Sequence, residues 1–342
     1  MSLQQAPNQS AGWHIVADIG GTNARFALAN QAEAPLQCVS VYRCADFVRF
    51  EDALEAYQKS VRERSAPQVL SVCLAVAATV HKDLISLTNY PWQFSRRALQ
   101  AALGVPVHVL NDFTAHALCL PLLGDADVQW LRRAPGRPHA AARTIAGPGT
   151  GFGGATLTAA GEVVESEPGH CSFAPVTEHE LQLLQVLWRR YPRICVEQLL
   201  SGPGLANLYW ANAVLGGNPR ELGAADIVSA AQHGDALALQ TLRDFSGILG
   251  SVCGDIALSM GSLGGFYLTG GVLEKLGALF DQTLFMTRFV DKGAFQSWCS
   301  EVPVARVTLV WPGLLGCARH ARLQTHISRG RNPADMEVPH AP

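Results

Sequence analysis

Asp18-Ile19-Gly20-Gly21-Thr22-Asn23-Ala24-Arg25 lies between two short apolar runs, Trp13 to Ala17 and Arg25 to Ala29. Strand, paired-glycine turn and strand read as a hairpin. Adjacent glycines let the backbone approach a ligand with no side chain between. Successive N–H groups in such a turn can form an anion nest. Thr22 would add a hydroxyl donor, and Asp18 could hold magnesium directly or through water. An ordinary tight hairpin uses the same residues, so this stretch alone leaves both readings open.

A second hairpin follows the same plan. Thr144 to Ala146 leads into Gly147-Pro148-Gly149-Thr150-Gly151-Phe152-Gly153-Gly154, then Ala155 to Thr158. Gly149-x-Gly151-x-x-Gly154 fits the dinucleotide expression, but that fingerprint must open a helix, and here a strand follows. NAD binding is therefore rejected. No Gly-Lys-Ser/Thr closes the loop, so it is not a Walker A motif either. What remains is a phosphate-contacting turn, or a glycine-rich linker. The two hairpins suggest two similar α/β halves with a cleft between them.

Between and beyond the hairpins the pattern alternates strand and helix. Phe47, Phe50, Leu54, Tyr57 and Val61 predict an amphipathic helix over Asp46 to Arg64. Val69 to Val76 and Val107 to Leu110 read as buried strands. Ser95 caps a short helix that Gly104 ends. A helix is expected from Phe113 to Pro121. Thr177 with Glu180 predicts a capping box for a helix to about Arg190. Asp235 to about Met260 reads as helix, Phe266 to Thr269 as strand, Val304 to Val310 as strand, and Gly313 opens the last helix. Ile256 to Leu273 carries no charge over a membrane-spanning length, but its five glycines point to a helix end, a turn and a buried strand.

Composition narrows the class. The chain has 342 residues, about half of them apolar, and a net charge of -2. That length suits two domains with a sizeable core. The weak net charge gives no global field for nucleic acid or an anionic membrane. Nine scattered cysteines without a CxxC pair indicate neither a zinc ribbon nor a disulfide framework. Free thiols and an N-terminus without a basic start or apolar run point to a cytoplasmic location.

Two further sets can carry chemistry. Asn111-Asp112 follows a strand's carboxyl end, where α/β sheets bind ligands. A carboxylate there can orient a sugar hydroxyl and accept its proton, or Asp112 can simply cap the next helix. Glu167, His170 and Glu197 suit vicinal hydroxyls, although each could equally be a satisfied surface residue.

Ten segments in order resemble the bacterial glucokinase family of the hexokinase/actin-like ATPase superfamily: DIGGTNAR (18–25), LTNYPWQFS (87–95), LNDFTAHA (110–117), GPGTGFGGA (147–155), EPGH (167–170), FAP (173–175), EQLLSGPGL (197–205), LTGGV (268–272), DKGAF (291–295) and PGLLG (312–316). The resemblance implies an α/β, two-domain actin-like ATPase (ribonuclease H-like) fold with a cleft between the domains. Residues 13–120 with about 311–325 would form a small domain and 121–310 a large one, with 1–12 and 328–342 as flexible tails. It implies ATP, Mg2+ and glucose, phosphorylated at its 6-hydroxyl to feed glycolysis, in a homodimer.

By position, Asp112 resembles the catalytic base and Asn111, Glu167, His170 and Glu197 the sugar contacts. Asp18, Gly20, Gly21 and Thr22 resemble the first phosphate segment, Gly149, Thr150 and Gly151 the second, and Gly270 and Gly271 the adenosine-side turn. The family usually carries Gly where this chain has Pro168, and often Gly-Pro where it reads Ala77-Ala78-Thr79. Pro168 leaves room for a rival, a catalytically weak sensor of hexose and nucleotide. A kinase for another hexose and an ATPase without a sugar acceptor are further alternatives.

Overall fold

The computed structural model describes residues 12–32, 35–64, 67–88, 90–133, 140–328 and 330. The two tails expected at 1–12 and 328–342 therefore lie almost wholly outside the described residues. The chain forms two compact units. One takes the residues up to Leu122 with those from Val310 onward, and the other is Leu123–Leu309.

In the first unit β1 (Trp13–Ile19), β2 (Asn23–Asn30) and β3 (Gln37–Arg43) form an antiparallel meander. β4 (Val69–Val76) joins β1 in parallel; β5 (Leu84–Ser86) and β6 (Gln93–Ser95) make a separate ribbon. β7 (Val107–Asn111) completes the order β3-β2-β1-β4-β7. β1 is buried almost throughout because both faces of the sheet are covered, which explains its unbroken apolar run. On one side Phe26 stacks on Tyr57 at 5.1 Å, and Phe50 packs on Phe94 at 4.7 Å. Such ring pairs add about 0.5–1.5 kcal/mol to their burial.

α1 (Phe50–Arg64) starts later than the apolar spacing predicts. Cys44–Asp46 is a 3-10 turn, and Phe47 is extended and packs edge-on to Tyr42 at 5.5 Å. Its place in the helical period was a coincidence of core burial. α2 (Arg96–Leu103) matches expectation: the Ser95 hydroxyl accepts from the Ala98 amide, and Gly104 ends the helix at φ 66°. α3 (Asp112–Cys119) starts one residue before the predicted Phe113.

The second unit repeats the strand pattern. β8 (Val128–Arg132) lies at one edge; β9 (Arg143–Pro148), β10 (Phe152–Leu157) and β11 (Val163–Ser166) form the meander, with β11 at the other edge. β12 (Gly265–Leu268) and β13 (Val304–Val307) add in parallel, giving β11-β10-β9-β12-β13-β8. β13 stops three residues short of the expected Val310.

Helices α4 (Glu178–Leu187), α5 (Gly202–Leu215), α6 (Ala224–Gln232) and α7 (Ala236–Met260) pack in sequence. α8 (Gly271–Leu276), α9 (Gln282–Val290) and α10 (Gln296–Glu301) follow. The capping box at α4 is half formed. Thr177 Oγ1 accepts from the Glu180 amide, but the Glu180 carboxylate turns to the Val176 amide and to Arg288 Nη2, 2.6 Å away. The uncharged stretch from Ile256 becomes the end of α7, a turn, β12 and the start of α8. No described helix is long and apolar enough to cross a membrane.

The last helix, α11 (Pro312–Ser328), belongs to the first unit and packs on α3, β1 and β4. A Cβ at Gly316 would overlap the Ala115 carbonyl, so the bare position lets α11 approach α3.

Candidate active site

The first unit gathers two of the sequence motifs at one sheet edge. Ile19 pairs with Val76, and Val76 pairs with Asn111. The carboxyl ends of three parallel strands are thus level, with Ile19 and Asn111 about 10 Å apart at ~4.8 Å per strand. That edge is where sheets of this kind bind ligands.

The β1–β2 turn is closed by the Gly20 amide, which donates to the Asn23 carbonyl at 3.0 Å. The Cys44 amide donates to the Thr22 carbonyl, anchoring the turn's far side, while Thr22 itself is exposed. Asp18 faces Arg25 across the ladder, with Nη1 3.6 Å from Oδ2. A Cβ on Gly313 would lie 3.0 Å from the Asp18 carboxyl carbon, so the start of α11 leaves that carboxylate its room. A single partly accessible carboxylate beside a backbone turn fits magnesium, which usually takes one or two carboxylates, waters and substrate phosphates. It does not fit an all-protein cage. Among the described residues no group of three His, Cys, Asp or Glu side chains could hold a metal.

Asn111, not Asp112, caps α3. Its Oδ1 accepts from the Phe113 amide at 2.9 Å and the Thr114 amide at 3.3 Å. The alternative role considered for Asp112 is therefore already filled. Asp112 is the first helical residue, with Oδ1 accepting from the Phe113 amide at 3.0 Å. What Asn111 offers a ligand is its Nδ2 N–H pair, since its oxygen is committed. One turn along α3, burial holds the His116 imidazole below its usual pKa, against the pull of the Asp18 carboxylate.

The second unit gathers the rest around the β9–β10 turn. The Gly149 amide donates to the Gly151 carbonyl at 2.7 Å, folding the turn on itself. Glu197 Oε2 accepts from the Phe152 amide at 3.0 Å. The Gly202 amide donates to the Gly149 carbonyl at 3.0 Å. A Cβ on Gly151 would overlap the Glu197 carboxylate.

Glu167 and His170 bracket a 3-10 turn, Pro168–His170, that packs on β10. Both are exposed. The His170 amide donates to the Glu167 carbonyl, and Arg193 Nη2 donates to the His170 carbonyl at 3.0 Å. The Val196 amide donates to the Cys171 carbonyl at 2.9 Å, tying this turn to the segment that carries Glu197. On the other side Gly270, at φ 117° and ψ 141°, lies against Pro148 where a Cβ would overlap the Pro148 carbonyl. Only glycine serves there, and Gly270-Gly271 abuts the second glycine turn.

The two units thus hold separate sets. Asp18, Gly20, Gly21, Thr22, Asn111 and Asp112 belong to the first. Gly149, Thr150, Gly151, Glu167, His170, Glu197, Gly270 and Gly271 belong to the second. The residue reading missed Phe152, Ser201, Gly202 and Gly313. Ser201 contributes a buried hydroxyl, and the other three contribute backbone donors or vacant space, which no side-chain pattern advertises.

Comparison with known proteins gives a consistent result. The family described as Glucokinase matches residues 15–324. The glucokinase of Chromohalobacter salexigens is 40% identical over 307 residues, which cover 88% of this chain and 95% of that protein. The bifunctional protein glk of Burkholderia thailandensis is 38% identical over 91% of this chain, which spans 49% of that longer protein. Among solved structures, a glucokinase from an Antarctic psychrotroph aligns with a TM-score of 0.82 and 35% identity, covering 90% of this chain and 98% of its own.

Proposed function

The chain belongs to the glucokinase family, and we propose that Asp112 is the base that takes the proton of the glucose 6-hydroxyl as ATP phosphorylates it. The fold is that of the actin-like ATPases, and the activity is ATP-dependent conversion of glucose to glucose 6-phosphate and ADP, an entry step of glycolysis.

The observation that carries the role of Asp112 is its place. Asn111 does the capping, and Asp112 stands at the carboxyl edge of the parallel strands, level with the Asp18 turn. A sugar hydroxyl is a very weak acid. A carboxylate that orients it and accepts its proton as the O–P bond forms contributes about 10²–10⁴-fold. The rest is positioning and charge stabilisation, because phosphoryl transfer asks little covalent chemistry of the protein.

The other residues divide accordingly. Glu167, His170 and Glu197 accept hydrogen bonds from ring hydroxyls, and Asn111 donates through Nδ2. The backbone amides of Gly21 and Gly151, with the Thr22 and Thr150 hydroxyls, face the phosphates, while Gly20 and Gly149 shape the two turns through amides already bonded within them. Gly270 and Gly271 serve the adenosine end. Asp18 would hold magnesium directly or through water, and the ion would supply charge neutralisation at the nucleotide phosphates.

Pro168, the feature behind the sensor reading, sits at the start of a 3-10 turn, where its fixed φ and missing N–H do no harm. The same reading places the protein in the cytoplasm as a homodimer. The free thiols of all nine cysteines suit a reducing compartment. Light scattering tests the dimer. A hexose panel with ATP and magnesium, read out as sugar phosphate, tests the activity. ATP hydrolysis indifferent to sugar would overturn it.

A further inference from the structure

The segment Glu197–Gly204 grips the second glycine turn at both shoulders. Glu197 Oε2 accepts from the Phe152 amide at 3.0 Å on one side. The Gly202 amide donates to the Gly149 carbonyl at 3.0 Å on the other. The segment is itself braced. Ser201 Oγ, fully buried, donates to the Glu197 carbonyl at 2.7 Å and accepts from the Gly204 amide at 2.9 Å. The Glu197 carboxylate occupies the space that a side chain at Gly151 would need.

A residue read as a sugar ligand is therefore also part of the frame of the phosphate turn. We propose that Glu197 couples the two substrates: hexose bound to its carboxylate orders the Gly149–Gly151 turn for nucleotide, and nucleotide tightens hexose by the same factor. This rests on the assignment of Glu197 to the sugar.

The physical argument is short. A carboxylate has two oxygens and about four acceptor sites, so one can keep the Phe152 amide while sugar hydroxyls use the other. Hydrogen bonds to an ionised acceptor are the strong ones. A hydroxyl that fixes the carboxylate removes its rotamer freedom and that of the backbone it holds. Less ordering is then left for the phosphates to impose, which is positive coupling without a large movement. Linkage makes the effect reciprocal.

Calorimetric titration of the full chain with glucose tests it, with and without a non-hydrolysable ATP analogue and magnesium. In the unaltered protein the analogue should tighten glucose at least ~5-fold, the lower end of ordinary coupling. Glu197→Gln keeps an acceptor but loses the charge. It should weaken glucose in the absence of nucleotide and bring the coupling close to one. Gly151→Ala keeps residue 197 as Glu but adds a Cβ where its carboxylate lies, so the carboxylate must shift. It should weaken glucose alone, although residue 151 belongs to the phosphate turn.

Weakened glucose binding in Glu197→Gln with coupling at the unaltered value overturns the coupling and leaves the hexose assignment standing. Glucose binding untouched by Glu197→Gln overturns that assignment and this proposal with it. If Glu197→Gln fails to fold, Gly151→Ala decides: unaltered glucose affinity and coupling there overturn the proposal.

Discussion

Asn111 Oδ1 receives the Phe113 amide at 2.9 Å, and this bond fixes where α3 begins. It leaves Asp112 as the first residue of the helix, at the carboxyl end of β7 and beside that of β4. Asp112→Asn preserves shape and hydrogen-bonding capacity but removes the carboxylate proposed as the base. It should lower kcat at least ~100-fold, within the usual range for general-base loss, while glucose still binds. Steady-state kinetics with a glucose titration checks both, and near-normal turnover would take Asp112 out of the mechanism.

Asn111→Ala should act through the cap. Loss of an N-cap side chain costs roughly 0.5–2 kcal/mol, and the start of α3 loosens with it. Both stability to urea and kcat should fall. Asn111→Asp keeps a capping oxygen but not the Nδ2 donors, so it should recover the stability and still raise the glucose KM. If the Asp variant shows an unaltered KM, Asn111 is a cap and nothing more.

Gly270→Ala should separate the nucleotide end from the sugar end. Its φ of 117° and the nearby Pro148 carbonyl make any Cβ strained. Destabilisation of about 1–3 kcal/mol is expected, with a raised ATP KM. Glucose affinity measured without nucleotide should not change. A variant with unaltered ATP KM would detach this turn from the nucleotide.

A buried ion pair ties α4 to α9 in the second unit. Arg288 Nη2 lies 2.6 Å from Glu180 Oε1, and Arg288 Nε donates to Ser251 Oγ at 2.9 Å. Removing one partner leaves the other charged and desolvated, which costs about 3–5 kcal/mol. Arg288→Met should therefore lower the unfolding midpoint sharply. The double variant Arg288→Met with Glu180→Leu should recover part of the loss. Equal stability of the single variant and the parent protein would show that the pair is solvated.

Acid should weaken the first unit through a histidine pair. His320 and His108 pack ring to ring at 5.2 Å. Burial, with a smaller contribution from His108, lowers the His320 pKa from 6.5 to about 4. Between those values the unfolded chain binds a proton that the folded chain refuses. The stability is thus fully present above about pH 6.5 and declines as pH falls toward 4. At 1.36 kcal/mol per tenfold change the loss by pH 4 is on the order of 3 kcal/mol. His320→Gln should flatten the denaturation midpoint between pH 6.5 and 5 relative to the parent, and parallel curves would count against the assignment.

Much of this was legible in the residues because it is local. Ser95 and Gly104 announce both ends of α2, and paired glycines announce both hairpins. The start of α1 was not legible, because Phe47 satisfies the helical spacing while packing on Tyr42 from an extended backbone. The strand β3 was missed for a related reason: its exposure does not alternate cleanly. At the site, the residue types and order singled out the motifs that lie at the glycine turn of each unit. The bond from Phe152 to Glu197 spans 45 residues, and the spaces kept for Asp18 and Ala115 are absences. Neither leaves a trace in local pattern.

The return of α11 to the first unit has a consequence for synthesis. Gly316 and its neighbours cover α3, β1 and β4, yet they leave the ribosome after the whole of Leu123–Leu309. The later-encoded unit can reach its native form while the earlier one still waits with an uncovered apolar face. A nascent chain stalled before Val310 should accordingly bind chaperones through its N-terminal half, although that half emerged first.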